Sequence, residues 1–248
     1  MIVIPMAGLS RRFQEAGYAQ PKFTLMAHGR SLFRHAVESF AALFGKERFL
    51  FICRDAEDAP AFIARECAAM GLPDARTVAL AAPTRGQAET VWLGLEQSRT
   101  PDDEPLIIFN IDTFRPGYAW PTDVDRRQSD GYLEVFPGSG PQWSYVRLAA
   151  NTSNRVAETA EKREISSLCC TGLYSFGRAG DFRAAYAAQM AAGADSLHAG
   201  EIYVAPLYNF LIGQGAAIHC HVIRREDVIF CGVPAEYEAF LRHPSPPT

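Results

Sequence analysis

Three short stretches of this chain collect the residue types that phosphate chemistry needs. The first, IPMAGLSRRF over 4–13, runs an apolar segment into a basic turn, and Pro21-Lys22 follows it. Gly8 lets the backbone approach a ligand with no side chain in the way. Amides in such a turn, with Arg11, Arg12 and Lys22 adding positive charge, make a concavity for an anion. The second stretch, PTRGQAETV over 83–91, offers Gly86 and Gln87 as a loop that could meet a base. The third, LIIFNIDTF over 106–114, ends an apolar run on Asp112. An acid just past a buried parallel strand lies at the carboxyl edge of a sheet, where open α/β sheets bind their ligands. A hard carboxylate there suits Mg²⁺, which takes one or two protein carboxylates plus phosphate oxygens. Asn110, two residues earlier, is expected on the same strand face. Each stretch also has an ordinary reading, a strand-to-helix turn with solvated arginines or an aspartate cap. The spacing is not G-x-G-x-x-G, because Ser10 and Phe13 stand at the later glycine positions, which disfavours a dehydrogenase.

The elements that must position these residues follow from hydrophobic periodicity. Ile2 to Met6 reads as a short buried strand ending at the Ala7-Gly8 turn. Phe33, Ala36, Val37, Phe40 and Phe44 recur at helical spacing. Strands are expected at Phe49 to Cys53, Thr77 to Ala81 and Leu106 to Asn110, with helices through Phe62 to Met70 and Ala88 to Leu95. Alternation of strand and helix over this half predicts a Rossmann-like, mainly parallel sheet flanked by helices. After Asp112 the rhythm changes. Strands are expected at 132–136, 144–148, 155–158 and 168–176, helices through Phe182 to Met190 and Ile202 to Ile212, and a last strand at Ile218 to Ile223. One mixed α/β domain over 1–240, with a flexible Pro-rich tail at 241–248, accounts for the chain.

Composition narrows the function. The 248 residues carry 24 Lys+Arg against 28 Asp+Glu, a formal net charge of −4, and 48% are hydrophobic. That fills one α/β core. The mildly acidic balance argues against binding a nucleic acid polymer along a basic face. No apolar stretch approaches the roughly 20 residues of a membrane span, and no basic lead marks a signal peptide. Six cysteines without C-x-x-C spacing read as reduced core residues of a cytoplasmic protein. His219 and His221 could share a strand face as metal ligands, although a packed or surface pair is the plainer reading. Trp143 and Tyr145 could stack on a ligand or pack on the sheet.

IPMAGLSRRF…PK, GQAETV, NID, AEKREIS, TGLYSF and GEIYVAPLYN occur in the order found in nucleoside-triphosphate transferases of the sugar-nucleotide pyrophosphorylase type, which the chain resembles from about Ile2 to Phe240. It looks most like the small bacterial branch associated with capsule and surface-polysaccharide biosynthesis. The resemblance implies that Met6, Ala7, Gly8, Leu9, Ser10 and Arg12 hold the triphosphate, and that Lys22 sits against the reacting phosphates. It implies that Gly86, Gln87 and Asn110 belong to the nucleotide site and that Asp112 binds Mg²⁺. Arg12, Lys22 and Asp112 would be the catalytic set. Glu161, Lys162, Thr171, Gly172 and Glu201 would face the acceptor. The chain departs from the family where Ser10 replaces a second glycine. It departs again at Phe230, where sugar-specific members place a second metal aspartate two residues before a turn that here is Gly232-Val233-Pro234.

The resemblance implies joining of a nucleoside triphosphate, CTP first with UTP and dTTP open, to a small phosphorylated acceptor, with release of pyrophosphate. A phosphate monoester is largely a dianion at neutral pH and needs little help from a base. The alternatives are a glycosyltransferase on the same type of sheet and a nucleotide-binding protein without turnover. A homo-oligomer is left open.

Overall fold

The computed structural model describes residues 1–56, 58–193 and 200–242. The strands are β1 (Ile2–Pro5), β2 (Met26–Ala27), β3 (Arg30–Ser31), β4 (Phe49–Arg54), β5 (Arg76–Leu80), β6 (Leu106–Phe109), β7 (Thr113–Phe114), β8 (Gly131–Pro137), β9 (Ser144–Leu148), β10 (Val156–Glu161), β11 (Leu168–Phe176), β12 (Ile218–Val222) and β13 (Ile229–Phe230). The helices are α1 (Arg11–Glu15), α2 (Leu32–Glu38), α3 (Ala59–Ala69), α4 (Gln87–Gln97), α5 (Ala179–Ala191), α6 (Tyr208–Gly213) and α7 (Pro234–Arg242).

The main sheet runs β10-β9-β11-β6-β1-β4-β5, and β8 pairs with both β11 and β12. β6, β1, β4 and β5 are mutually parallel, while β11 runs antiparallel to β6. Side chains of a strand alternate between the two faces, and both faces here are apolar. Val3, Leu50, Ile52 and Ile108 join the core beneath α4, α5 and α6. Ile2, Ile4, Phe51 and Phe109 join the core shared with α2, α3 and α7. A sheet covered on both sides explains why these strands read as unbroken apolar runs. The mixed, mainly parallel sheet is the architecture expected from the sequence. No helix among the described residues is long and apolar enough to cross a membrane.

Several expectations are corrected. The helix expected through Phe44 stops at Glu38, and a 3-10 turn follows at Ala41–Leu43. Ser39 Oγ donates to His35 O at 3.2 Å and accepts from Arg115 N at 2.9 Å; such back-bonding competes with the helical ladder. The helix expected from Ile202 begins only at Tyr208, behind a 3-10 turn at Ala205–Leu207 that contains Pro206. Ile202 is instead drawn out beside the loop before α4, donating from its N–H to Arg85 O at 2.7 Å and accepting from Ala88 N at 3.0 Å. The strand at 218–222 is not the last, because β13 and α7 follow it. The segment 243–248, most of the expected tail, lies outside the described residues.

Candidate active site

A cleft of about 640 Å³ opens along the carboxyl ends of β1 and β6 and is closed on its far side by β9, β10 and β11. Its size falls within the range of small-ligand sites. Met6, Ala7, Gly8, Leu9, Ser10, Arg12, Lys22, Gly86, Gln87, Asn110, Asp112, Glu161, Thr171, Gly172 and Glu201 all line it. Residues from Met6 to Glu201 are gathered because the parallel strands deliver their following loops to the same edge of the sheet.

The basic loop leaves β1 with Met6 and Ala7 buried and Arg11 and Arg12 exposed. Ser10 adopts φ 52°, ψ 30°, the left-handed conformation that glycine takes at little cost. The departure at Ser10 therefore changes the residue while the backbone keeps a glycine-type turn. Lys22 opens a 3-10 turn behind Pro21, and its Nζ lies 2.5 Å from Asp112 Oδ2. The pair is partly shielded, at 19% and 21% side-chain exposure. A cation and a carboxylate so placed bridge the loop after β1 and the turn after β6.

Asp112 and Asn110 do not share a strand face as expected. β6 ends at Phe109, so both residues stand in the turn that follows it. Asn110 is fixed by its backbone N–H, which donates to Gly172 O at 3.2 Å, and by its side-chain oxygen, which accepts from Gln87 Nε2. The bulge between Cys170 and Tyr174 in β11 makes room for this contact. A Cβ at Gly172 would stand 2.3 Å from Asn110 Nδ2, and Gly172 has φ +97°. Bulges of this kind re-aim side chains beside functional sites. Thr171 is set by Glu134, whose Oε1 accepts from Thr171 Oγ1 at 3.2 Å. Burial pushes the Glu134 carboxyl up, and Arg115, with its Nε 3.1 Å from Oε2, opposes that shift.

Gly86 joins two walls of the cleft. Its φ is +123°, and a Cβ there would stand 2.7 Å from Ile202 O and 2.8 Å from Ile202 N. The loop bearing Gln87 is thus packed backbone to backbone against the segment carrying Glu201 and Tyr203. Gly86→Ala is expected to lower stability by about 1–3 kcal/mol through backbone strain and the displaced contact. The shift of the denaturant midpoint measures this, and an unchanged midpoint would show that the two segments are not held together.

The opposite wall is acidic and aromatic. Glu161 ends β10 and accepts from Ser144 Oγ across the β9 pairing. Burial pushes its carboxyl above the usual range; the Ser144 bond and Lys162 oppose this, and Glu201 adds to it. Lys162 does not line the cleft. Its backbone turns left-handed at φ 52°, and its Nζ donates to Tyr203 Oη at 2.6 Å, 4.7 Å from the ring centroid. Tyr203 also donates to Glu201 Oε2. Trp143 both lines the cleft and packs on Phe230 at 4.7 Å, whereas Tyr145 is wholly buried and donates to Gly140 O at 2.6 Å. His219 and His221 do not converge: Nδ1 of His219 lies 3.0 Å from Ser129 Oγ, and Nδ1 of His221 lies 2.7 Å from Asp123 Oδ1. All six cysteines are buried free thiols.

Sequence reasoning missed Tyr203 and Glu236 among the lining residues. For Glu236 the signal was present. Proline at the first helical position and glutamate at the third, as in Val233-Pro234-Ala235-Glu236, mark a helix start, and Glu236 Oε2 accepts from Val233 N at 3.2 Å and Gly232 N at 2.8 Å.

A mainly parallel sheet thus presents a basic loop, a lysine–aspartate pair and a carboxylate wall at one edge, an arrangement suited to a phosphate-bearing ligand. No protein-family model and no curated protein matches the chain; solved structures do. A nucleoside-diphosphate-sugar pyrophosphorylase from Vibrio cholerae RC9 is 48% identical over 98% of this chain and 100% of its own, with a TM-score of 0.93. The inositol-1-phosphate CTP transferase from T. maritima shares the fold, with a TM-score of 0.71 over 96% of this chain and 92% of its own, at 13% identity. The chain belongs to the nucleoside-diphosphate-sugar pyrophosphorylase family.

Proposed function

We propose that the enzyme joins a nucleoside triphosphate, CTP by preference, to a small phosphorylated acceptor and releases pyrophosphate, supplying activated precursors for a capsule or surface glycan in the cytoplasm. The Lys22–Asp112 pair, between the basic loop and the carboxylate wall, is the observation that carries this reading. In it, the backbone of residues 6–10 and Arg12 hold the triphosphate, and Gly86, Gln87 and Asn110 hold the nucleoside. The acceptor phosphate is oriented toward the α-phosphorus beside Lys22, whose charge offsets that developing in transfer. Glu161, Thr171, Gly172 and Glu201 face the rest of the acceptor. Two carboxylates on that wall favour an acceptor rich in hydroxyl or ammonium donors. Lys162 acts on this wall through Tyr203.

The donor set fits Mg²⁺. Asp112 offers a hard oxygen, and the missing side chain of Gly232 leaves space beside it, since a Cβ there would stand 3.3 Å from Asp112 Oδ2. Bound at Asp112, Mg²⁺ would neutralise phosphate charge. Screening CTP, UTP, dTTP and ATP against phosphorylated sugars, polyols and amides for pyrophosphate release tests the reading. Acceptor-dependent release is expected, strongest with CTP. Binding of triphosphate with no release across the panel would instead make the chain a nucleotide-binding protein without turnover. Transfer from a nucleotide-sugar would support the glycosyltransferase alternative.

A further inference from the structure

Glu236 is the third residue of α7, half-buried and on the wall of the cleft. The turn that carries it is tied to the turn carrying Asp112, because Cys231 N donates to Asp112 O at 2.8 Å. Gly232 stands between the two acids. A Cβ built on it would lie 3.3 Å from Asp112 Oδ2 and 3.6 Å from Glu236 Oε2, so both carboxylates border the volume that this glycine leaves free. The neighbouring alternatives are committed elsewhere. Phe230 packs on Trp143, and Asp227 pairs with Arg224 at 2.6 Å. A carboxylate has about four lone-pair sites, and Glu236 uses two on the N–H groups of Gly232 and Val233.

We propose that Glu236 is the second protein carboxylate of the Mg²⁺ site, reaching it from α7. The proposal rests on the reading of Asp112 as a metal ligand. Glu236 then has two tasks, capping α7 and adding negative charge beside Asp112.

Mn²⁺ titration followed by electron paramagnetic resonance, with a non-hydrolysable CTP analogue present, separates these tasks. Glu236→Gln keeps an oxygen for the two N–H groups and removes the charge. It is expected to weaken Mn²⁺ binding about tenfold or more, as is Asp112→Asn. Unchanged affinity in Glu236→Gln beside weakened affinity in Asp112→Asn would overturn the proposal and leave the metal site at Asp112 standing. Unchanged affinity in both would overturn the proposal together with the metal reading of Asp112. Glu236→Asp, which retains the charge but shortens the cap, guards against a folding effect. It is expected to lose less affinity than Glu236→Gln, and the reverse order would reduce Glu236 to a helix cap.

Discussion

Lys22→Ala is expected to lower kcat by ~10²–10³-fold, the cost of removing one donor aimed at charge that develops in the transition state. The KM for the triphosphate should move far less, because the loop backbone and Arg12 remain. Steady-state kinetics with each substrate varied in turn check both parts. The expectation follows from where the ammonium sits, 2.5 Å from Asp112 Oδ2 and on the cleft wall. A cation there can exchange its carboxylate partner for phosphate oxygens as the substrates arrive. The pair is partly exposed, so little folding stability should be lost with it, and the melting temperature should stay near that of the parent. An unchanged kcat would remove Lys22 from the mechanism. Lys22→Arg is expected to rescue incompletely, since a planar guanidinium does not substitute for a compact ammonium.

Asp112→Asn is the second large effect. It retains the shape of the side chain and its backbone bond to Cys231 while removing the charge that would anchor a divalent ion. Mg²⁺-dependent turnover is expected to fall by ~10³-fold or more, in line with the several kcal/mol of charge stabilisation a metal supplies to phosphoryl chemistry. Titrating Mg²⁺ against rate in parent and variant measures it. An unaltered metal dependence would move the metal site away from the turn after β6. Lys22 adds a control: if the ion pair alone mattered, Asp112→Asn and Lys22→Ala would lose similar amounts, and the loss in Asp112→Asn would not depend on the metal.

The half of the fold that holds the basic loop and Asp112 was legible because its strands are covered on both faces. β1, β4 and β6 are unbroken apolar runs, and the helices between them show clear periodicity. The loops that follow these strands fall at one edge by the rule of open α/β sheets, so the gathering of Gly8, Lys22 and Asp112 could be anticipated from chain order. What escaped depended on contacts distant in sequence. Ile202 has the apolar neighbours of a helix, but its backbone is drawn out by Arg85 and Ala88, more than a hundred residues earlier, and Pro206 limits the helix behind it. Lys162 sits in a charge run whose spacing cannot say that Tyr203 will hold the ammonium out of the cleft. α7 lay in the sequence as a proline followed by glutamate, yet the two-residue strand before it is too short to show a period.

The step on which the proposed reaction turns is attack of an acceptor phosphate on the α-phosphorus of the triphosphate. Its most direct test is the reaction of CTP with an acceptor whose terminal phosphate oxygens carry ¹⁸O, followed by ³¹P NMR of the products. Isotope retained wholly in the nucleotide product, with one ¹⁸O bridging its two phosphorus atoms and none in the pyrophosphate, is the predicted result. Isotope in the pyrophosphate, or pyrophosphate released without any acceptor, would contradict it.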